Sequence, residues 1–242
     1  MRGGFPIFRV AGIQVYLHFT WFLVAWYEIN SGKFRYQSPS WAAVEYIGLF
    51  AIVLLHEFGH AFACRSVGGR ADHIVLWPLG GLAFVDPPPR PGAVLWSIAA
   101  GPLVNVVLVP LFFFATFAAG SHGWIDISAD VHRLLQRLWS INLGLLIFNL
   151  LPFFPLDGGQ IVRALLWFKL GPIRSLQVAG ALGVVGALCL GAVAFAFGSI
   201  WIGVIAFFLF SQAAAAIQRA REMALQADLA AAPPPPVSER QL

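Results

Sequence analysis

From residue 175 to residue 217 no charged side chain interrupts the chain, and Gly198-Ser199 is the short break within that run. Each half is close to the roughly 20 apolar residues that a helix needs to cross the hydrocarbon of a bilayer. The pattern predicts two membrane spans, at about residues 175–197 and 199–217, folded as a tight helical hairpin. The rest of the chain agrees. Only 11% of its 242 residues are charged and 59% are hydrophobic. A soluble domain of this length needs more charged surface, so the class is integral membrane protein.

Four more spans can be drawn before the hairpin, at about residues 13–29, 41–64, 93–119 and 131–151. The first follows Arg2 and Arg9 as a secretory leader would, but the WYEINSGKF behind it lacks a small-residue cleavage pattern, so it is read as retained. Trp21, Trp26, Trp41, Trp96, Trp139 and Trp201 fall towards the span ends, as interfacial anchors do. With the N-terminus inside, eleven Lys and Arg residues face the cytoplasm and four (Lys33, Arg35, Arg133 and Arg137) face out. That bias predicts that both termini are cytoplasmic. The basic residues are scattered between apolar runs, which argues against a nucleic-acid partner. Cys64 and Cys189 suggest no disulfide framework.

Between the second and third spans, ADHIVLWPLGGLAFVDPPP holds two short β-prone runs around Gly80-Gly81, read as a hairpin at the membrane surface with Pro78 marking an edge. The expected fold class is therefore an all-α membrane protein of about six transmembrane helices with one small β-hairpin. Residues 1–217 form a single integral-membrane domain in this reading. Residues 218–242 are a short cytoplasmic tail, disordered at its Pro-rich end.

Inside the second span lies AIVLLHEFGHAFA. His56 and His60 are four apart, so on a helix both imidazoles leave one face and can reach one ion. Glu57 is rotated about 100 degrees from His56 and stands beside such an ion instead of binding it. His-Glu-x-x-His is the arrangement of zinc hydrolases, in which the metal acidifies a bound water and the glutamate takes its proton. In a soluble helix the pattern could arise by chance. At mid-bilayer an ionisable group costs on the order of 2.5–3.5 kcal/mol, so three in five positions point to chemistry.

Catalytic zinc usually takes three protein ligands and leaves one position open. Cys64 lies on the same face but about 12 Å along the axis from His56, beyond the reach of one ion. His73, Asp72 and Asp86 sit in the surface hairpin. His122, His132, Asp126 and Asp130 belong to the opposite side, and His18 reads as a packing or interfacial residue. That leaves Asp157 in FNLLPFFPLDGGQ, where Pro152, Pro155 and Gly158-Gly159 break the helix near Leu151. Broken backbone at membrane depth is tolerated where it is buried or lines a wet cavity.

The paired segments HEFGH and NLLPFFPLDGG resemble the site-2 protease family of zinc intramembrane proteases. That family shows His-Glu-x-x-His, then Asn-x-x-Pro and Leu-Asp-Gly. AGIQVYLHFTWFL, LWPLGGLAF and AGPLVN extend the likeness over about residues 10–165. The resemblance implies one Zn2+ held by His56, His60 and Asp157, with Glu57 as general base. It makes Asn149 a candidate oxyanion donor, although capping of the broken helix is an equal reading. Asn105, and more weakly Asn142, read as interhelical or site-supporting groups. Gly80 and Gly81 would pair with an extended substrate strand. The implied activity is hydrolysis of a peptide bond in or near a transmembrane segment of a membrane-protein or membrane-peptide substrate, in the plasma membrane of a prokaryote. Alternatives are a zinc-binding membrane transporter or sensor, an inactive scaffold, and a zinc hydrolase acting on lipid.

Overall fold

The computed structural model describes residues 4–32, 35–38, 40–77, 80–121 and 129–231. It is mostly helical, and it carries a four-stranded sheet in place of the lone hairpin expected. The strands are β1 (Gly4–Val10), β2 (Ile13–His18), β3 (Arg70–Trp77) and β4 (Gly80–Asp86). The helices are α1 (Thr20–Gly32), α2 (Ser40–Ser66), α3 (Pro91–Ser121), α4 (Ala129–Asn149), α5 (Asp157–Ala196) and α6 (Ile200–Ala231).

Strand order is β1-β2-β3-β4, with β2 parallel to β3 and the outer pairs antiparallel. β3 and β4 pair antiparallel on either side of the gap before Gly80, with Trp77 opposite Gly80 and Leu76 opposite Gly81. Pro78 lies outside the described residues. The expectation that failed is the helix over residues 13–18. Ile13 and Val15 alternate with polar or half-exposed neighbours and are fully buried, the period of a strand with one face inward. Ala11 and Gly12 both have positive φ and reverse the chain in two residues, as the right-handed twist of a hairpin favours. His18, drawn in the first span, closes β2, and its Nδ1 lies 2.7 Å from Thr20 Oγ1.

The chain divides into two compact units: Met1–Pro152 with Leu156–Leu165, and Phe153–Pro155 with Leu166–Leu242. In the first, Ile13, Val15, Ile74 and Leu76 project from the sheet onto Trp21 of α1 and Phe58 and Ala61 of α2. α3 packs against α2 and α4. At the N-terminal end of α2, the buried Glu45 carboxylate accepts from Tyr36 Oη at 2.7 Å and Arg137 Nε at 3.2 Å, with Arg35 at 3.6 Å. Burial, and then the bond to Glu45, push the Tyr36 phenol well above its usual pKa. In the second unit, α5 and α6 meet through small side chains. Ala179, Ala216 and Ala220 surround Leu176 and Phe154.

Among the described residues, four helices (α2, α3, α5 and α6) are long and apolar enough to cross a membrane. α1 has 13 residues, about 20 Å at 1.5 Å per residue, which is short for the hydrocarbon. α4 carries Asp130, Arg133 and Arg137 in its first half. The fifth helix begins at Asp157, well before the expected residue 175, and Gly171, at φ 75°, kinks it where the charged and uncharged stretches meet. α6 continues to Ala231, beyond the boundary drawn at residue 217.

Candidate metal centre

α2 delivers His56 and His60 from consecutive turns, and both are buried. The third group arrives from far along the sequence. α4 ends at Asn149, where Leu150 N still bonds Leu146 O and Leu151 N tightens onto Phe148 O. The chain restarts as a helix at Asp157, with Gln160 N bonding Leu156 O. A Cβ on Gly158 would overlap the carbonyl oxygens of Leu150 and Leu151. Glycine there lets the new helix seat against the broken end of the old one, which brings the Asp157 carboxylate onto α2.

His56 Nε2 lies 3.0 Å from Asp157 Oδ2, and His60 Nε2 lies 3.4 Å from the same oxygen. The two Nε2 atoms are 3.1 Å apart. Three ligands at about 2.0–2.1 Å in a tetrahedral shell would stand about 3.3 Å from one another. The spacing therefore fits one small ion.

The other ring nitrogens decide what those atoms present. His60 Nδ1 lies 2.9 Å from the backbone carbonyl of Ser97, and His56 Nδ1 lies 2.5 Å from Asn105 Oδ1. Facing oxygens that only accept, both Nδ1 atoms must donate. In the neutral rings both Nε2 atoms then carry lone pairs. With both rings neutral, two nitrogen lone pairs and a carboxylate oxygen converge, an arrangement that a cation satisfies. The residues fit a metal by their donor chemistry as well as by distance.

α3 makes this possible through residues spaced by four. Ser97 offers its carbonyl, Asn105 its side chain, and Gly101 lies between them. A Cβ on Gly101 would overlap the His60 ring and come within 2.8 Å of His56 Nε2. Sequence reasoning found Asn105 but missed Ser97 and Gly101. The four-residue repeat was visible, yet a main-chain acceptor leaves no mark on residue type.

Glu57 is buried one position from His56. Asn149 is half-buried at the end of α4, while Gly80 and Gly81 open β4, an edge strand of the sheet. The rejected candidates lie elsewhere. Cys64 Sγ is 3.4 Å from Arg70 O, His73 stacks on Phe84, Asp72 is exposed beside Arg65, and Asp130 accepts from Gln37 N. His122 and Asp126 lie outside the described residues.

A largely helical, apolar chain with two buried histidines and a partly buried aspartate as its donor set is the class that fold and site define. Comparison with known proteins agrees. The family model described as Peptidase family M50 matches residues 44–126 and 122–193. The chain belongs to that family. It is 35% identical over 184 residues to a zinc metalloprotease of Methanocaldococcus jannaschii, covering 76% of this chain and 51% of that protein. It is 31% identical to Rip3 of Mycobacterium tuberculosis, covering 88% of this chain and 58% of that one. The chain thus spans little more than half the length of these relatives. The solved site-2 protease from Methanocaldococcus jannaschii superposes with a TM-score of 0.60 at 26% identity, covering 88% of this chain and 95% of the other.

Proposed function

We propose that this protein is a zinc-dependent intramembrane endopeptidase in which His56, His60 and Asp157 hold one Zn2+. The observation that carries the reading is the convergence of three donor atoms on one point beside a buried glutamate. Zinc held there would supply an open coordination position, polarise a carbonyl and acidify water. The Glu57 carboxylate takes the proton of the attacking water and returns it to the leaving amide nitrogen. Asn105 keeps the His56 ring in place. Asn149, at the broken end of α4, is the candidate donor to the developing oxyanion. A substrate segment unwound from its helix adds to the edge of β4 at Gly80-Gly81, since an extended backbone can bond to a strand and a helical one cannot.

The substrate class is a membrane protein or membrane peptide cut in or near its transmembrane segment. In this reading the chain sits in a prokaryotic cell membrane with both termini in the cytoplasm, which the relatives' sources and the Lys and Arg bias support. α1 and α4 complete six crossings in this reading, with residues 1–217 as the membrane domain and residues 218–242 as its tail. A transporter or sensor would share the metal ligands but would not cleave.

The test pairs zinc analysis with cleavage of a single-span substrate in liposomes. Glu57→Gln is expected to keep zinc and lose about 100- to 10,000-fold in cleavage rate. Asp157→Ala is expected to lose zinc. Cleavage by Glu57→Gln at the wild-type rate would falsify the assigned mechanism, and zinc retained in Asp157→Ala would move the third ligand elsewhere.

A further inference from the structure

We propose that Asn142 is a positioning residue that sets which nitrogen of His56 carries the proton, and thereby keeps the Nε2 lone pair available to the metal. The inference rests on the metal reading above and goes beyond it to a residue of α4 that touches none of the three donor atoms.

Asn142 and Asn105 are both fully buried. Asn142 Nδ2 lies 3.0 Å from the backbone carbonyl oxygen of Asn105. A carbonyl cannot donate, so the amide NH2 of Asn142 must point there, and its Oδ1 must point the other way. That Oδ1 accepts from Asn105 Nδ2 at 2.6 Å. The Asn105 amide is fixed in turn, and its Oδ1 is the atom left facing His56 Nδ1 at 2.5 Å. His56 can only answer with Nδ1–H, so the lone pair of the neutral ring sits on Nε2, facing His60 and Asp157.

Each step has one solution because the series begins at a main-chain carbonyl, whose polarity is invariable. His60 reaches the same outcome in one step, from Ser97 O. His56 reaches it through two amides, starting from Asn105 O. Without Asn142, the Asn105 amide is free to turn over and present NH2 to Nδ1. The proton then moves to Nε2, and the ligand is lost.

The test uses the full-length chain in detergent. Nitrogen-15 NMR of the zinc-loaded wild type, with His56 identified by its absence in His56→Ala, is expected to show the Nδ1–H form. In Asn142→Leu the Nε2–H form is expected to gain at its expense. Zinc affinity by chelator competition is expected to fall about 10- to 100-fold in Asn142→Leu, the usual cost of removing an outer partner of a ligand. Asn105→Leu is expected to fall equally, and the double variant no further, because the two act in series. Asn142→Ala removes the same bonds without bulk and gives the same reading should leucine not be accommodated. Nε2–H in the wild type, unchanged affinity in the Asn142 variants, or a double variant showing the product of the single losses would each overturn the proposal. Wild type that binds no zinc overturns the metal reading, and with it the proposal that rests on it.

Discussion

The two units bury different things. The first encloses Glu45, His56, Glu57, His60, Ser97, Asn105, Asp130 and Asn142, while the second encloses Ser175 alone among polar residues at that depth in the described chain. Around the histidines, α2, α3 and α4 are joined by hydrogen bonds whose donors and acceptors fit one arrangement. Between α5 and α6 the contact is made by alanines and glycines, which bring backbones close without prescribing chemistry. Polar partners in an apolar setting are costly to leave unmade. The first unit is therefore specified by what must be satisfied, and the second by what fits.

The contrast can be broken most sharply at Gly101. Gly101→Ala adds one methyl against both imidazoles and is expected to weaken zinc binding by about 10- to 100-fold with helix content unchanged, read by chelator competition and circular dichroism. The equivalent insult in the second unit should cost stability and spare the metal. A Cβ on Gly180 would stand 2.7 Å from Ile217 Cγ1 and 3.2 Å from Ala213 O. Gly180→Leu is expected to lose about 1–3 kcal/mol to overpacking, with zinc affinity held within about twofold. A large loss of affinity there would erase the distinction.

Smaller effects test how tightly the polar side is determined. Arg137→Leu leaves Glu45 with Arg35 and Tyr36, and should destabilise the chain by about 1–2 kcal/mol in denaturant, since Arg137 is itself partly exposed. Smallest is the alkaline limb. The folded pKa of Tyr36 lies above its unfolded value of 10.0, so the native state binds this proton more tightly. Its contribution is complete below pH 10.0 and declines as pH rises above that value. Absorbance titration should find one phenol ionising only as the chain unfolds, and Tyr36→Phe should remove that component.

The same contrast explains what could be read from residues alone. His56, Glu57, His60 and Asp157 stand out because a metal site would restrict residue type and spacing, and because lipid makes unused charge expensive. Ser97 escapes notice because its contribution is a peptide carbonyl, which every residue carries. Residues 13–18 were misread for another reason. The apolar run from Ile13 to Tyr27 is long enough for a span, and that length outweighed the alternation of Ile13, Val15 and Leu17 and the Ala11-Gly12 reversal. The start of α5 was hidden by Gly158-Gly159, which reads as a turn until the need for close approach to Leu150 and Leu151 is known.

Two of the three donors come from adjacent turns of α2, and the last comes 101 positions after the first. A nascent chain that has delivered α2, α3 and α4 has assembled both imidazoles and their partners yet has no carboxylate to complete the shell. Affinity for the proposed ion thus arises only when the opening turn of α5 comes to rest, so a chain that stops short of Asp157 holds no complete donor set.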